Sequence, residues 1–176
     1  MKIGIRISIL LAILFCSTFA FADTDFYQDY TIDSGVWTGN NFVHGMAILT
    51  VNGGDILSIS ALDSSTVDVN GGVISTIFLY ESENATINLY GGNLTTGFHG
   101  RFTIPNAINI YGKDFFITQN GDNAYLSGKW ANDSDFNFYF LRSNGLPDIV
   151  TLHIIPEPFT ILLLALGVAF VPHKRT

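Results

Sequence analysis

The chain is expected to be all-β, organised around a small parallel β-solenoid. Two observations carry that expectation. One motif recurs: Leu49-Thr50-Val51-Asn52-Gly53-Gly54, Val67-Asp68-Val69-Asn70-Gly71-Gly72 and Ile87-Asn88-Leu89-Tyr90-Gly91-Gly92, with a degenerate fourth copy at Ile108-Asn109-Ile110-Tyr111-Gly112-Lys113. The copies stand about 18 to 21 residues apart, the length of one solenoid coil. Each copy also alternates apolar and polar residues ahead of its glycines. A period of two marks a strand with one buried face, and the glycines permit positive φ at a sharp corner. A β-sandwich whose hairpins share Asn-Gly-like turns is the competing architecture. The regular interval and the doubled glycine favour the solenoid.

The elements follow in order. Met1 to Ala22 reads as a secretory signal peptide: Lys2 and Arg6 at the start, an apolar centre from Ile7 to Phe15, and a small-residue cleavage site at Ala20-Phe21-Ala22 before Asp23. Cys16 follows the bulky Phe15, where lipid attachment needs a small residue, so acylation is not expected. Residues 23–46 are aromatic and irregular, with Phe26, Tyr27, Tyr30, Trp37 and Phe42, and with Gly35 and Gly39 as turn points. They are expected to form short strands that cap one end of the solenoid. The repeats occupy residues 47–113. A second strand follows each corner, at Ile56–Ile59, Val73–Ile77 and Asn93–Thr95, and the coils are joined by polar turns at Asp63-Ser64-Ser65 and Glu81-Ser82-Glu83-Asn84. Stacked coils would align Val51, Val69, Leu89 and Ile110 in one inner column, each worth roughly 1.5–3 kcal/mol when fully buried. Asn52 and Asn70 would stack as an amide ladder at the corner. Residues 114–153 hold further alternating strands, Phe115–Ile117, Ala124–Trp130, Phe136–Phe140 and Ile149–His153. They are expected to form a C-terminal antiparallel β cap, with turns at Asn120–Asn123 and Asn132–Asp135.

Residues 154–176 form a tripartite tail. Pro156-Glu157-Pro158 precedes an uncharged run of 13 residues from Phe159 to Val171, and Pro172-His173-Lys174-Arg175-Thr176 follows. Prolines 156 and 158 lack N–H donors and suit the start of a helix rather than its middle. The run carries Phe159, Ile161, Leu162, Leu163, Leu164, Leu166, Val168, Phe170 and Val171, and would span roughly 20 Å as a transmembrane helix, against a ~30 Å hydrocarbon core. Lys174 and Arg175 are a basic stop that would hold the C-terminus in the cytoplasm. A run of this length also fits a buried core helix; the Pro-Glu-Pro start and the basic stop favour the membrane anchor.

This tail resembles the PEP-CTERM sorting signal of Gram-negative bacteria that secrete exopolysaccharide. The preceding Tyr111-Gly112, Leu126-Ser127-Gly128-Lys129-Trp130 and Asn132-Asp133 are similar to a module found ahead of that signal in many such proteins. The resemblance implies processing by exosortase, a membrane-embedded transpeptidase-like enzyme, near Pro156-Glu157-Pro158. It also implies transient membrane anchoring and a destination at the cell surface or in the extracellular matrix. The expected role is structural or adhesive, linked to exopolysaccharide and biofilm; the alternative is a carbohydrate-binding module displayed on the anchor.

Charge and motif content narrow the chemistry. Between Asp23 and His153 fourteen acids face four bases, Arg101, Lys113, Lys129 and Arg142, for a net charge of about −10. Such a surface repels phosphate backbones, so no nucleic-acid partner is expected. No cysteine follows Cys16, which leaves neither disulfides nor a cysteine zinc site. His44, His99 and His153 lack ligand spacing, and no nucleophile motif is present. Polysaccharide lyases are built on longer parallel β-helices with basic grooves; this chain has few coils and is acidic. No enzyme activity, catalytic residue, metal or cofactor is expected. The Asn132-Asp133-Ser134-Asp135-Phe136-Asn137 turn offers oxygen ligands of the kind calcium takes, but Asx-rich turns arise for backbone reasons alone. Asn84-Ala85-Thr86, Asn93-Leu94-Thr95 and Asn132-Asp133-Ser134 match the N-glycosylation acceptor. Tyr80, Tyr90 and Tyr111, if exposed along one face, would offer rings for pyranose stacking; half-buried strand tyrosines with hydroxyls in water are the plainer expectation.

Overall fold

The computed structural model describes residues 22–80, 84–102 and 106–156. The signal peptide before Ala22 and the tail from Glu157 onward lie outside the described residues, so the expected helices there are not part of this description. Every regular element among the described residues is a strand. They are β1 (Thr24–Phe26), β2 (Tyr30–Ile32), β3 (Val36–Val43), β4 (Ile48–Val51), β5 (Asp55–Ala61), β6 (Thr66–Val69), β7 (Val73–Leu79), β8 (Thr86–Leu89), β9 (Asn93–Gly100), β10 (Ala107–Asn120), β11 (Asn123–Lys129), β12 (Asp135–Phe140) and β13 (Val150–Ile154).

These strands wind into a β-solenoid with two parallel faces. One face stacks β2, β4, β6, β8, β10 and β13; the other stacks β1, β3, β5, β7 and β9. Four coils, β2/β3, β4/β5, β6/β7 and β8/β9, each place one strand on either face. The expected inner column is present and longer than the repeats alone imply. Val51 pairs with Val69, Val69 with Leu89 and Leu89 with Ile110, while Ile32 extends the column at one end and Leu152 at the other. Ile32, Val51, Val69, Leu89 and Ile110 are buried. A second column from the opposite face, Ile59, Ile77, Phe98 and Phe140, meets it, with Phe98 and Phe140 stacked at 5.1 Å. The first place in that column is Asn41, buried yet satisfied: its amide donates to the Ser58 carbonyl at 2.9 Å and the Gly39 carbonyl at 3.2 Å.

The two glycines at the corners after β4, β6 and β8 have different reasons. At the first, the preceding coil lies against the chain: a Cβ on Gly71 would sit 2.5 Å from the Asn52 carbonyl oxygen, and Gly53 and Gly91 face Asp33 and Asn70 in the same way. The second, Gly54, Gly72 or Gly92, has φ of +94°, +85° or +87°, a region L-residues rarely occupy. The carbonyl of that second glycine then receives the first N–H of the next coil's outgoing strand, as in Val73 N–H to Gly54 O and Asn93 N–H to Gly72 O.

The repeat ends where Lys113 replaces the second glycine. The degenerate copy does not turn its corner. β10 instead runs 14 residues from one face onto the other, with a bulge between Lys113 and Phe116 and left-handed Asp114 at φ +55°. The boundary expected between residues 113 and 114 therefore falls inside a strand. β10, β11 and β12 form the antiparallel cap, joined by a hairpin at Gly121-Asp122, and β12 meets β9 in parallel through Phe140 and Phe98. With no fifth corner to follow, the Gly92 carbonyl is taken by the Trp130 indole N–H at 2.9 Å. β13 is not antiparallel: it returns to β10 in parallel and adds a last rung to the solenoid.

The aromatic N-terminal segment supplies β1, β2 and β3, of which β2 and β3 continue the parallel stack as its first coil. Gly35 turns, at φ +101°. Gly39 is not a turn point; it lies within β3 at a register shift, where a Cβ would strike the Ala22 carbonyl. Gly71→Ala is expected to lower stability by about 1–3 kcal/mol through overpacking against Asn52. The measurement is urea unfolding, with a lower midpoint and an unchanged slope; a midpoint equal to that of the parent protein would contradict this close approach of coils.

Candidate functional site

The outward residues of the β4/β6/β8/β10 face form ladders. The expected amide ladder exists and begins one coil earlier. Asn70 donates to Asn52 at 2.9 Å and Asn52 donates to Asp33 at 2.9 Å. A second ladder runs beside it, two residues earlier in each strand: Asn109 donates to Asn88 at 2.9 Å and Asn88 to Asp68 at 2.8 Å, while His153 Nε2 lies 3.1 Å from the Asn109 oxygen. Partners are 19, 18, 20 and 21 residues apart in sequence, one coil each. The polarity is uniform. Every amide N–H points toward the N-terminal coil, and each ladder starts at an aspartate, which accepts only. The Asn109 oxygen can only accept, so the bond from His153 is donated by Nε2.

After Asn70 the first ladder changes from amide to aromatic. Tyr90 and Tyr111 stack at 4.4 Å and 19°, and Tyr111 and His153 at 4.3 Å and 9°. The shared ring faces are thus closed to a sugar. Tyr80, at the far end of β7, stands apart from this column and lends its backbone carbonyl to the buried Asn106 amide at 2.7 Å. Burial, followed by hydrogen bonding to Tyr111, raises the Tyr90 pKa above its ordinary value, so its hydroxyl stays protonated at neutral pH.

Where the aromatic stack begins, the corner opens into a groove of about 640 Å³. Its floor is Gly71, Gly72, Gly91 and Gly92; Asn70, Tyr90 and Asn93 form one wall, and Ala131, Asn132, Ser134, Asp135, Phe136 and Asn137, from the β11–β12 turn and the start of β12, form the other. Trp130, bonded to Gly92 and packed on Phe136 at 4.3 Å, fixes the two walls together.

The Asn132–Asn137 turn does not gather its acids around an ion. Asp133 pairs with Lys113, and Asp135 pairs with Lys129 at 3.0 Å. The hydrogen-bonded Lys113 ammonium holds the Asp133 carboxyl below the usual carboxylate range, and Asp135 pushes Lys129 up. Asn132 Oδ1 accepts from the Ser134 N–H at 3.1 Å and its hydroxyl at 2.6 Å, which is an Asx turn. Among the described residues no group of three or more His, Cys, Asp or Glu is placed to hold a metal ion.

The three histidines occupy separate structural posts. His44 bonds Asp25 at 2.9 Å and stacks on Tyr27 at 4.5 Å. His153 ends the second ladder. His99 lies between Phe78 and Tyr139, its Nε2 buried without a partner, and burial lowers its pKa. Of the expected sorting residues, Ala22 precedes β1, and Pro156 is exposed just past β13, where the Ile155 N–H bonds the Gly112 carbonyl at 2.9 Å. Ala20, Glu157, Pro158, the anchor from Phe159 to Val171, and Lys174 and Arg175 lie outside the described residues. The second ladder, the Trp130 bond and the groove were not anticipated. The ladder's signal was present, since Thr50, Asp68, Asn88 and Asn109 hold the same place in every repeat.

Asn88→Ala is expected to cost roughly 1–2 kcal/mol, because it leaves Asp68 without its ladder donor and the Asn109 N–H without its acceptor; denaturant unfolding measures it. The depressed His99 pKa has a definite sign. The unfolded chain binds a proton near its ordinary 6.5 while the folded chain does not, so stability falls as pH drops below about 6.5 and levels off below the folded value. His99→Phe should flatten that part of a stability-against-pH curve. Comparison of the chain with protein-family models, curated proteins and solved structures returns no match.

Proposed function

We propose that this is an exported, non-enzymatic protein of the cell surface or extracellular matrix of a Gram-negative bacterium, handed to exosortase by its tail and serving a structural or adhesive role in exopolysaccharide. The observation that carries the reading is the order of the last 23 residues: Pro-Glu-Pro, an uncharged run, then Lys174 and Arg175. The position of the folded body agrees with it. Among the described residues the last backbone bond to β10 is made by Ile155, the residue before Pro156. The body suits a matrix role because it holds together by stacking alone, without disulfides, and because its acidic surface keeps it clear of nucleic acid.

A second reading, a carbohydrate-binding module displayed on the same anchor, is favoured by one observation, the groove beside Tyr90. Deleting residues 156–176 is expected to release the protein from the cell, read by immunoblot of cells and medium and by mass spectrometry of the mature C-terminus. Unchanged cell attachment of the truncated protein would sink the sorting reading.

A further inference from the structure

We propose that the groove between the Gly71–Gly72 and Gly91–Gly92 corners and the β11–β12 turn binds neutral glycans, with Tyr90 as the stacking platform. The inference rests on the second reading above and gives it a place and a ligand class.

Tyr90 is the first ring of the aromatic column. Tyr111 covers one face of it, at 4.4 Å, yet Tyr90 remains 42% exposed and lines the groove beside Asn70, the residue before it in the column. Among the described residues no second ring stacks on Tyr90. An aromatic face of this kind takes the C–H face of a sugar ring. Tyr111 lacks it, being stacked on both sides by Tyr90 and His153.

Hydroxyl recognition needs groups that donate and accept. Asn93, at the start of β9, and Asn137, in β12, are exposed on opposite walls, and neither side chain is hydrogen-bonded among the described residues. Each amide offers both N–H donors and a carbonyl acceptor, which matches vicinal hydroxyls. The glycine floor has no side chains, so a ligand can approach the backbone closely. The volume, about 640 Å³, lies within the range of small-molecule sites.

Charge selects the class of sugar. Asp135 is the one charged residue of the lining, and Lys129 is already paired with it at 3.0 Å. No cation of the lining is there to hold a carboxylate or sulfate, and the surrounding body is acidic. Uronate-rich or phosphorylated glycans are therefore repelled, and neutral hexose polymers are the ligands that fit.

The test titrates the full chain with hexasaccharides of glucose, mannose and galactose, beside alginate and hyaluronan hexamers, by calorimetry and tyrosine fluorescence. At least one neutral hexasaccharide should bind, and the two acidic ones should not. Tyr90→Ala should weaken binding at least tenfold while Tyr90→Phe retains it, and Asn137→Ala should weaken it roughly fivefold. Asn137 is exposed and unbonded, so this variant keeps the test valid if Tyr90→Ala unfolds; hydrogen exchange of β4–β9 checks the fold. Binding that survives both Tyr90→Ala and Asn137→Ala overturns the site while leaving the glycan-binding reading in place. Preference for the acidic sugars overturns the ligand class, and absence of any binding removes both the site and the second reading. None of these outcomes touches the sorting reading, which is decided by where the truncated protein goes.

Discussion

The structure depends on how closely one coil can lie on the next. Parallel strands sit about 4.8 Å apart, and that spacing brings the Asn52 carbonyl to where a Cβ of Gly71 would be. Only glycine satisfies the first corner position, and the positive φ beside it calls for glycine at the second. Once those two positions are met in successive coils, register follows. Residues at equal places in the repeat must stack, so an aliphatic column fills the interior and an amide ladder lines the outside. The same spacing suits face-to-face rings, which is why Tyr90 and Tyr111 can follow Asn52 and Asn70 in one column without disturbing it.

A stack held by this rule must also be stopped by it. At the C-terminal end the chain stops by changing one residue: Lys113 stands where a second glycine would turn the corner, and β10 runs on into the antiparallel cap. That leaves the Gly92 carbonyl without the N–H that the next coil gives Gly54 and Gly72, and the Trp130 indole supplies it. The N-terminal end stops by shortness, with edge strands β1 and β2 of three residues each, and by chemistry, since Asp33 accepts from the ladder and offers no donor onward.

Much of this was legible in the sequence because a repeat states its own geometry. The spacing located the coils, the alternation gave the inner column, and Asn52 and Asn70 declared their ladder. What was not legible lies where the contact is made once. Gly39 reads as a turn because its reason for being glycine, the Ala22 carbonyl, is 17 residues away and across a sheet. β13 reads as another cap strand because its partner in β10 lies far back along the chain, beyond the whole antiparallel excursion. The three tyrosines look alike in sequence, yet only two fall in one column. The groove is hidden for the same reason: its walls come from the repeat and from the β11–β12 turn, which share no pattern.

That groove stands at the one place where the outer column changes chemistry. Within the amide part of the ladder each donor meets an acceptor, and within the aromatic part each ring meets a ring. At the step from Asn70 to Tyr90 an amide meets a ring, and neither kind of pairing is made. The exposed part of Tyr90 lies beside a glycine floor, and the cap that ends the stack puts the unbonded Asn137 amide across from it. A perfectly regular solenoid would have satisfied every outward group with its own copy and presented no such surface. Recognition of a ligand is therefore to be sought at the fault in the repeat, and the fault is held rigid by Trp130, the residue that closes the fold.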